Sequence, residues 1–150
     1  MNEGLFRIVE LAGQGFFCSQ ILLQMGLDAR GKENPELIRA IGGLPGGLGF
    51  CGKNCGAMTG GACLISFYVG KGTAEEKADS RVNEMISELV KWFEETYGSV
   101  YGGINCSDLI ENNPANMKER CPKMVLATFE KVSEILLKYE YNMSSGYEGQ

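Results

Sequence analysis

Residues 54–69, NCGAMTGGACLISFYV, form the segment around which the fold is predicted. It predicts a helix from about Asn54 to Val69 with an apolar second half and a first half almost bare of side chains. Each glycine in a helix costs roughly 1 kcal/mol relative to alanine. Close approach of another helix or of a bound group to the backbone is the usual compensation. The small residues concerned are Gly56, Ala57, Gly60, Gly61 and Ala62.

The segment before this helix is a glycine-rich loop. Six of the eleven residues from Gly42 to Gly52 are glycine, and three of them fall in G-x-G-x-x-G spacing. A dinucleotide fingerprint requires a preceding strand and a βαβ unit. Here a short helix precedes the loop, with Asn34 as its cap and Pro35 at its first position. The spacing is therefore interpreted as a loop and not as a nucleotide site.

Helical spacing continues on both sides of these segments. Apolar residues predict a helix from about Glu3 to Leu27, with a break allowed near Gly13 and Cys18 in its second half. Thr73 begins a T-x-x-E capping box that predicts a helix running to about Tyr97.

The C-terminal third predicts a short helix over SDLIENN, ended before Pro114, and a last long helix. The long helix is expected to start near Cys121, with Pro122 at its first position. No segment shows sustained period-two alternation. The prediction is one all-α domain over residues 1–150, a bundle of about five to six helices with residues 145–150 frayed.

Composition excludes several classes of function. Fourteen basic residues against nineteen acidic ones give a net charge of −5, which argues against a nucleic-acid partner. No apolar run is long enough to span a membrane, and the first fifteen residues lack the pattern of a secretory signal, so a cytoplasmic location is expected. There is no histidine, which removes Cys-His catalysis, histidine-ligated haem and zinc sites that contain histidine.

The chain has six cysteines, and in a reducing compartment such a set favours metal binding or redox chemistry over a disulfide framework. Cys55, Cys106 and Cys121 are each predicted to lie at a helix N-terminus. There the unpaired N–H groups and the helix dipole stabilise a thiolate, so their pKa values are expected to be lowered. Cys63 is eight residues after Cys55 and is interpreted as core packing. Cys51 lies in the loop and remains a spare ligand, a resolving thiol or neither.

The segments FFCSQILL, NCGAMTGG, WFEETYGS, NCSDLI and RCPKMV resemble the C-GCAxxG-C-C family of redox-active proteins. The resemblance spans about Leu5 to Leu136. It places the four motif cysteines on Cys18, Cys55, Cys106 and Cys121, and the motif glycines on Gly56 and Gly60. It implies a helical domain in which these cysteines come together as a redox site.

Several functions stay open at this point. The first is a [2Fe–2S] or similar iron–sulfur cluster on the four motif cysteines, for electron transfer or redox sensing with a redox partner. The second is metal-free thiol–disulfide chemistry, with Cys106 and Cys121 or Cys51 and Cys55 as the exchanging pair. The third is a structural zinc site, and the last is a helical interaction module. The small-residue helix face would also suit a homodimer.

Overall fold

The computed structural model describes residues 2–145 and shows seven helices within them. The fifth helix continues without a break through a π-helical turn, Glu94–Gly98, into a last turn, Ser99–Tyr101. The only strand-like pairing in the described part is a single bridge between Asn54 and Asn105. The helices are α1 Glu3–Gly13, α2 Cys18–Ala29, α3 Pro35–Ile41, α4 Gly56–Val69, α5 Val82–Phe93, α6 Cys106–Leu109 and α7 Asn116–Lys138.

The all-α prediction is confirmed, with seven helices instead of five to six. Of the tail that was predicted to be frayed, residues 146–150 lie outside the described residues. None of the helices in residues 2–145 is both long and apolar enough to cross a membrane.

Helix α4 lies at the centre of the bundle and contacts α2, α5 and α7. A Cβ on Gly61 would lie 2.8 Å from Thr128 of α7 and 2.9 Å from Leu89 of α5. A Cβ on Gly26 of α2 would lie 2.5 Å from Leu64 of α4. The small-residue face predicted from the sequence is therefore used by helix packing within the chain.

The first predicted helix is divided in two. Gly15 has a φ of 95°, in the left-handed region, and Phe17 is extended. Glycine adopts such a φ without steric cost, so α1 ends at Gly13 and α2 begins afresh at Cys18. The break allowed near Gly13 is confirmed, and Cys18, predicted in the second half of this segment, is the first residue of α2.

The helix predicted to open at Thr73 starts nine residues later, at Val82. The N–H of Glu76 does donate to the Thr73 hydroxyl at 3.3 Å, but no helix follows this contact. Asp79 decides the real start: its N–H donates to the carbonyl of Val69, and its carboxylate accepts from the N–H of Arg81. A side chain that caps the backbone two residues on favours a turn that leads into a helix.

The same buried Asp79 also holds the segment after α7 in place through hydrogen bonds. Its carboxylate accepts hydrogen bonds from the Arg81 guanidinium and from the hydroxyl of Tyr141. Nearby, the hydroxyl of Tyr68 donates to the carbonyl of Met143 at 2.7 Å. The chain beyond the last helix is thus held against the end of α4 by two polar contacts.

The C-terminal end of α5 extends beyond the predicted end near Tyr97. The helix widens into the π-helical turn there and continues to Tyr101, where Gly102 with a φ of 80° ends it. A π-helical turn adds one residue to a helix turn and is found frequently at functional sites.

The last helix begins at Asn116, six residues before Pro122, so the predicted start near Cys121 is wrong. Proline inside a helix removes the N–H that would pair with the carbonyl four residues earlier, here that of Lys118. Lys118 is exposed, which lets water take the place of that donor. Cys121 consequently lies inside α7 and not at its N-terminus.

Candidate thiol site

Three helices begin at the same place, and each begins at a cysteine. Cys18 is the first residue of α2, Cys55 is the N-cap of α4, and Cys106 is the first residue of α6. The sequence predicted helix starts at Cys55, Cys106 and Cys121, and none at Cys18. The prediction therefore stands for Cys55 and Cys106 and is wrong for Cys121.

Two glycines let α2 approach α4 at this point. A Cβ on Gly56 would lie 2.5 Å from the Sγ of Cys18, and a Cβ on Gly60 would lie 2.7 Å from the Cα of Ser19. A Cβ at position 60 would require the backbone of α2 to move, whereas one at position 56 would displace the Cys18 side chain or the Pro45 backbone. The backbone of α2, with its first cysteine, is thus what approaches these glycines.

The bridge between Asn54 and Asn105 positions the next two cysteines. The N–H of Cys55 donates to the carbonyl of Ile104 at 3.0 Å, and the N–H of Cys106 donates to the carbonyl of Lys53 at 2.6 Å. In this antiparallel pairing Cys55 and Cys106 are diagonal neighbours on one face. Such neighbours have Cα atoms about 7–8 Å apart, and their side chains are within mutual reach.

Cys121 completes the group from the first turns of α7. Burial, followed by the charges of Cys55 and Cys106, raises the pKa of Cys121 to about 12. Burial and then the charges of Cys55, Cys121 and Cys106 raise the pKa of Cys18 to about 12. Cys55 itself feels the charge of Cys106. Every pair among the four cysteines therefore interacts, which places them in one site, here called the thiol site: Cys18, Cys55, Cys106 and Cys121.

The expectation that helix N-termini lower the thiol pKa values is contradicted. The N–H groups of Ala57 and Met58 do favour the Cys55 thiolate, but burial outweighs them and raises the pKa of Cys55 to about 11. Burial also raises the pKa of Cys106. A buried anion loses its hydration, and within the described part no lysine or arginine acts on these four thiols. The thiols are therefore protonated at neutral pH when no cation is bound.

The remaining two cysteines lie outside the thiol site. Cys51 is exposed in the glycine-rich loop, with its Sγ 3.9 Å from the carbonyl of Gly49. Cys63 is partly buried against the core in the middle of α4, and burial alone raises its pKa.

Tyr97 also belongs to the site, although no motif in the sequence pointed to it. It lies in the π-helical turn, half-buried, with its ring centroid 4.9 Å from that of Phe93. Burial and then the charge of Cys55 raise the pKa of Tyr97. Tyr97 reaches this position on the π-helical turn, and no pattern in the sequence marks such a turn.

The spacing of the thiols bears on what they can hold. A single zinc ion binds sulfur at about 2.3 Å, which requires tetrahedral ligands about 3.8 Å apart. Within residues 2–145 no three acidic or cysteine side chains are arranged to hold one metal ion. Four cysteine thiolates are the donor set of common iron–sulfur clusters as well as of tetrahedral zinc sites.

The fold and the site together define a class, that of helical proteins in which separated cysteines converge on one buried centre. The chain belongs to the family described as "Putative redox-active protein (C_GCAxxG_C_C)", whose model matches residues 16–135. The comparison with curated proteins finds no match. The comparison with solved structures finds none either.

Proposed function

We propose that this redox-active protein holds an iron–sulfur cluster, of the [2Fe–2S] type, on the thiol site and uses it for electron transfer or redox sensing. The observation that carries the proposal is the mutual interaction of four thiols that arrive from four different helices. Four cysteine thiolates are the complete protein ligand set of such a cluster. When bound, the cluster supplies a one-electron couple.

The electrostatics of the site favour the binding of a cation. Four thiols cannot ionise together in a buried site without a counter-charge, and the pKa values of about 11 to 12 express that cost. Metal ions remove it, because they deprotonate coordinating thiols outright. The N–H groups at the starts of α2 and α4 then donate to the sulfurs, an interaction that stabilises the charged form and tunes a cluster's potential.

A second candidate is metal-free thiol–disulfide exchange, and the diagonal placement of Cys55 and Cys106 favours it. In this reaction the thiolate of one cysteine attacks a substrate disulfide and releases one substrate thiolate. The other cysteine then attacks the mixed disulfide, forms the internal disulfide and releases the second thiolate. A disulfide requires Cα atoms no more than about 6.8 Å apart, so this pair would first have to close slightly.

The proposal includes a cytoplasmic location, where glutathione and thioredoxin keep thiols reduced, and a separate electron partner. A structural zinc site on the same four cysteines is the further metal alternative, since four thiolates also complete a tetrahedral zinc site.

Anaerobic purification followed by a visible spectrum and assays of iron, sulfide, zinc and free thiols tests the proposal. A coloured protein with iron and acid-labile sulfide in equal amounts is the expected result. Zinc at one per chain would instead support a structural zinc site. A reversible loss of two thiols in protein without metal would establish the disulfide chemistry instead.

A further inference from the structure

The glycine-rich loop, residues 42–52, has a backbone of a rare kind. Five consecutive residues have φ between 58° and 73°. For residues other than glycine the left-handed conformation costs about 1–2 kcal/mol each. Strain of this kind persists where the surrounding structure enforces it, and it is found often at functional sites. The five residues are Gly46, Gly47, Leu48, Gly49 and Phe50.

Both ends of the loop are attached to the thiol site. The Cα of Pro45 would lie 3.1 Å from a Cβ on Gly56, the same point that the Sγ of Cys18 approaches to 2.5 Å. At the other end the hydroxyl of Ser107 donates to the carbonyl of Gly52 at 2.9 Å. Ser107 follows Cys106 in the chain. The loop therefore contacts the site near Cys18 at one end and near Cys106 at the other.

The two non-glycine residues in the left-handed run differ in what they contact. The ring of Phe50 packs edge-on against that of Phe17, with centroids 5.2 Å apart, and it also covers the backbone of Gly46. Phe17 directly precedes Cys18. Leu48 carries the same strain and is 50% exposed, close to the 54% of Phe50, but it takes part in no such aromatic pair.

We propose that Phe50 is a shielding residue for the thiol site: by packing on Phe17 it holds the loop closed over Cys18 and limits the access of solvent and small reagents to that sulfur. The strained backbone is the means by which Phe50 reaches Phe17. The purpose of the shield rests on the proposed function, but its existence does not, so it can be tested on metal-free protein.

The test measures the rate at which iodoacetamide alkylates Cys18 in reduced, metal-free protein, resolved by peptide mass spectrometry. Phe50→Gly relieves the strained φ but removes the ring. We expect it to speed the alkylation of Cys18 up to about tenfold, the effect of losing one aromatic pair on the closed form. Leu48→Gly is the matched control, since it relieves equal strain in the same loop, and it should change the rate less than about twofold. Cys63 serves as the internal reference.

Phe50→Tyr keeps the ring and should restore the slow rate, a rescue that a general loosening of the loop would not produce. Urea unfolding of each variant separates shielding from loss of the fold. Equal acceleration by Phe50→Gly and Leu48→Gly would overturn the proposal, and so would unchanged alkylation in Phe50→Gly. If the native protein carries no metal but the alkylation results hold, the cluster proposal fails while the shield stands.

Discussion

The sulfur of Cys18 lies against the backbone of Gly56, so closely that a Cβ at position 56 would be 2.5 Å from it. One residue before that glycine is Cys55, the N-cap of α4. The glycine of the motif therefore serves to bring two cysteines from different helices together. It does so because hydrogen is the only side chain that leaves room for a sulfur atom beside the helix backbone.

Gly56→Ala is expected to damage both fold and site. The added methyl group must displace Cys18 or the backbone of Pro45, and overpacking of this kind costs about 1–3 kcal/mol. Urea unfolding measures the loss of stability, and metal analysis measures the loss of cofactor. Gly13→Ala is the control: nothing lies within 4 Å of its Cβ position, so it should be neutral or stabilise by up to about 1 kcal/mol. Equal effects of the two variants would show that Gly56 has no special packing role.

Cys18→Ala is expected to abolish cofactor retention, because it removes one of four ligands in the thiol site. Cys63→Ala is the matched change in α4, outside the site, and should retain the full cofactor while losing about 1 kcal/mol or less of stability. Iron and sulfide content per chain, measured after anaerobic purification, decides between them. Retention in Cys18→Ala together with loss in Cys63→Ala would contradict the assignment of the site.

Alkaline pH should destabilise the metal-free protein. The pKa of Cys18 is raised to about 12 and that of Cys55 to about 11, whereas unfolded cysteine ionises near about 8.5. The folded state thus binds more protons, so stability is intact below about pH 8.5 and falls as pH rises toward 11–12. Urea midpoints at pH 8 and pH 10, under reducing conditions, measure this fall.

The fall should be smaller in Cys18→Ala, which removes one of the thiols responsible, and unchanged in Cys51→Ser, whose side chain is exposed and outside the site. A loaded protein should resist the same pH change, since its thiols are already deprotonated by the metal. An identical pH profile in Cys18→Ala and in the parent protein would assign the alkaline loss to other groups.

Acid should release the segment after α7. Hydrogen bonds from Arg81 and Tyr141, with burial opposing them, hold the pKa of Asp79 well below its usual range. A lowered pKa contributes stability that is complete above the unfolded value of about 3.9 and is lost as pH falls below it. Asp79→Asn should cost about 2 kcal/mol at pH 7 and flatten this acid dependence, both seen in urea unfolding.

A carboxylate on the surface provides the comparison. Glu134 pairs with Lys131 at 3.2 Å but is 70% exposed, so Glu134→Gln should cost less than about 0.5 kcal/mol. If Asp79→Asn costs no more than Glu134→Gln, the buried carboxylate does not fasten the C-terminal segment.

Capping and helix-ending residues predicted the helices whose first or last residue depends on its neighbours in the sequence. Asn34 caps α3 with Pro35 at its first position, and α4 ends at Val69, both as expected. Such residues failed to predict helix starts where tertiary contacts compete with local ones. Thr73 makes its capping contact, yet α5 begins only after Asp79. The partners of Asp79, Val69 and Tyr141, lie 10 and 62 residues away in the sequence.

Apolar residues at helical spacing were enough to predict an all-α protein, and six cysteines without a histidine made the thiols the main candidates for its chemistry. How those thiols behave depends on the folded protein. Burial raises their pKa values although three of them lie at helix starts, because desolvation of a thiolate outweighs the hydrogen bonds that backbone N–H groups offer Cys18 and Cys55. The π-helical turn that carries Tyr97 and the left-handed loop that carries Phe50 also depend on contacts between distant segments, which no local pattern records.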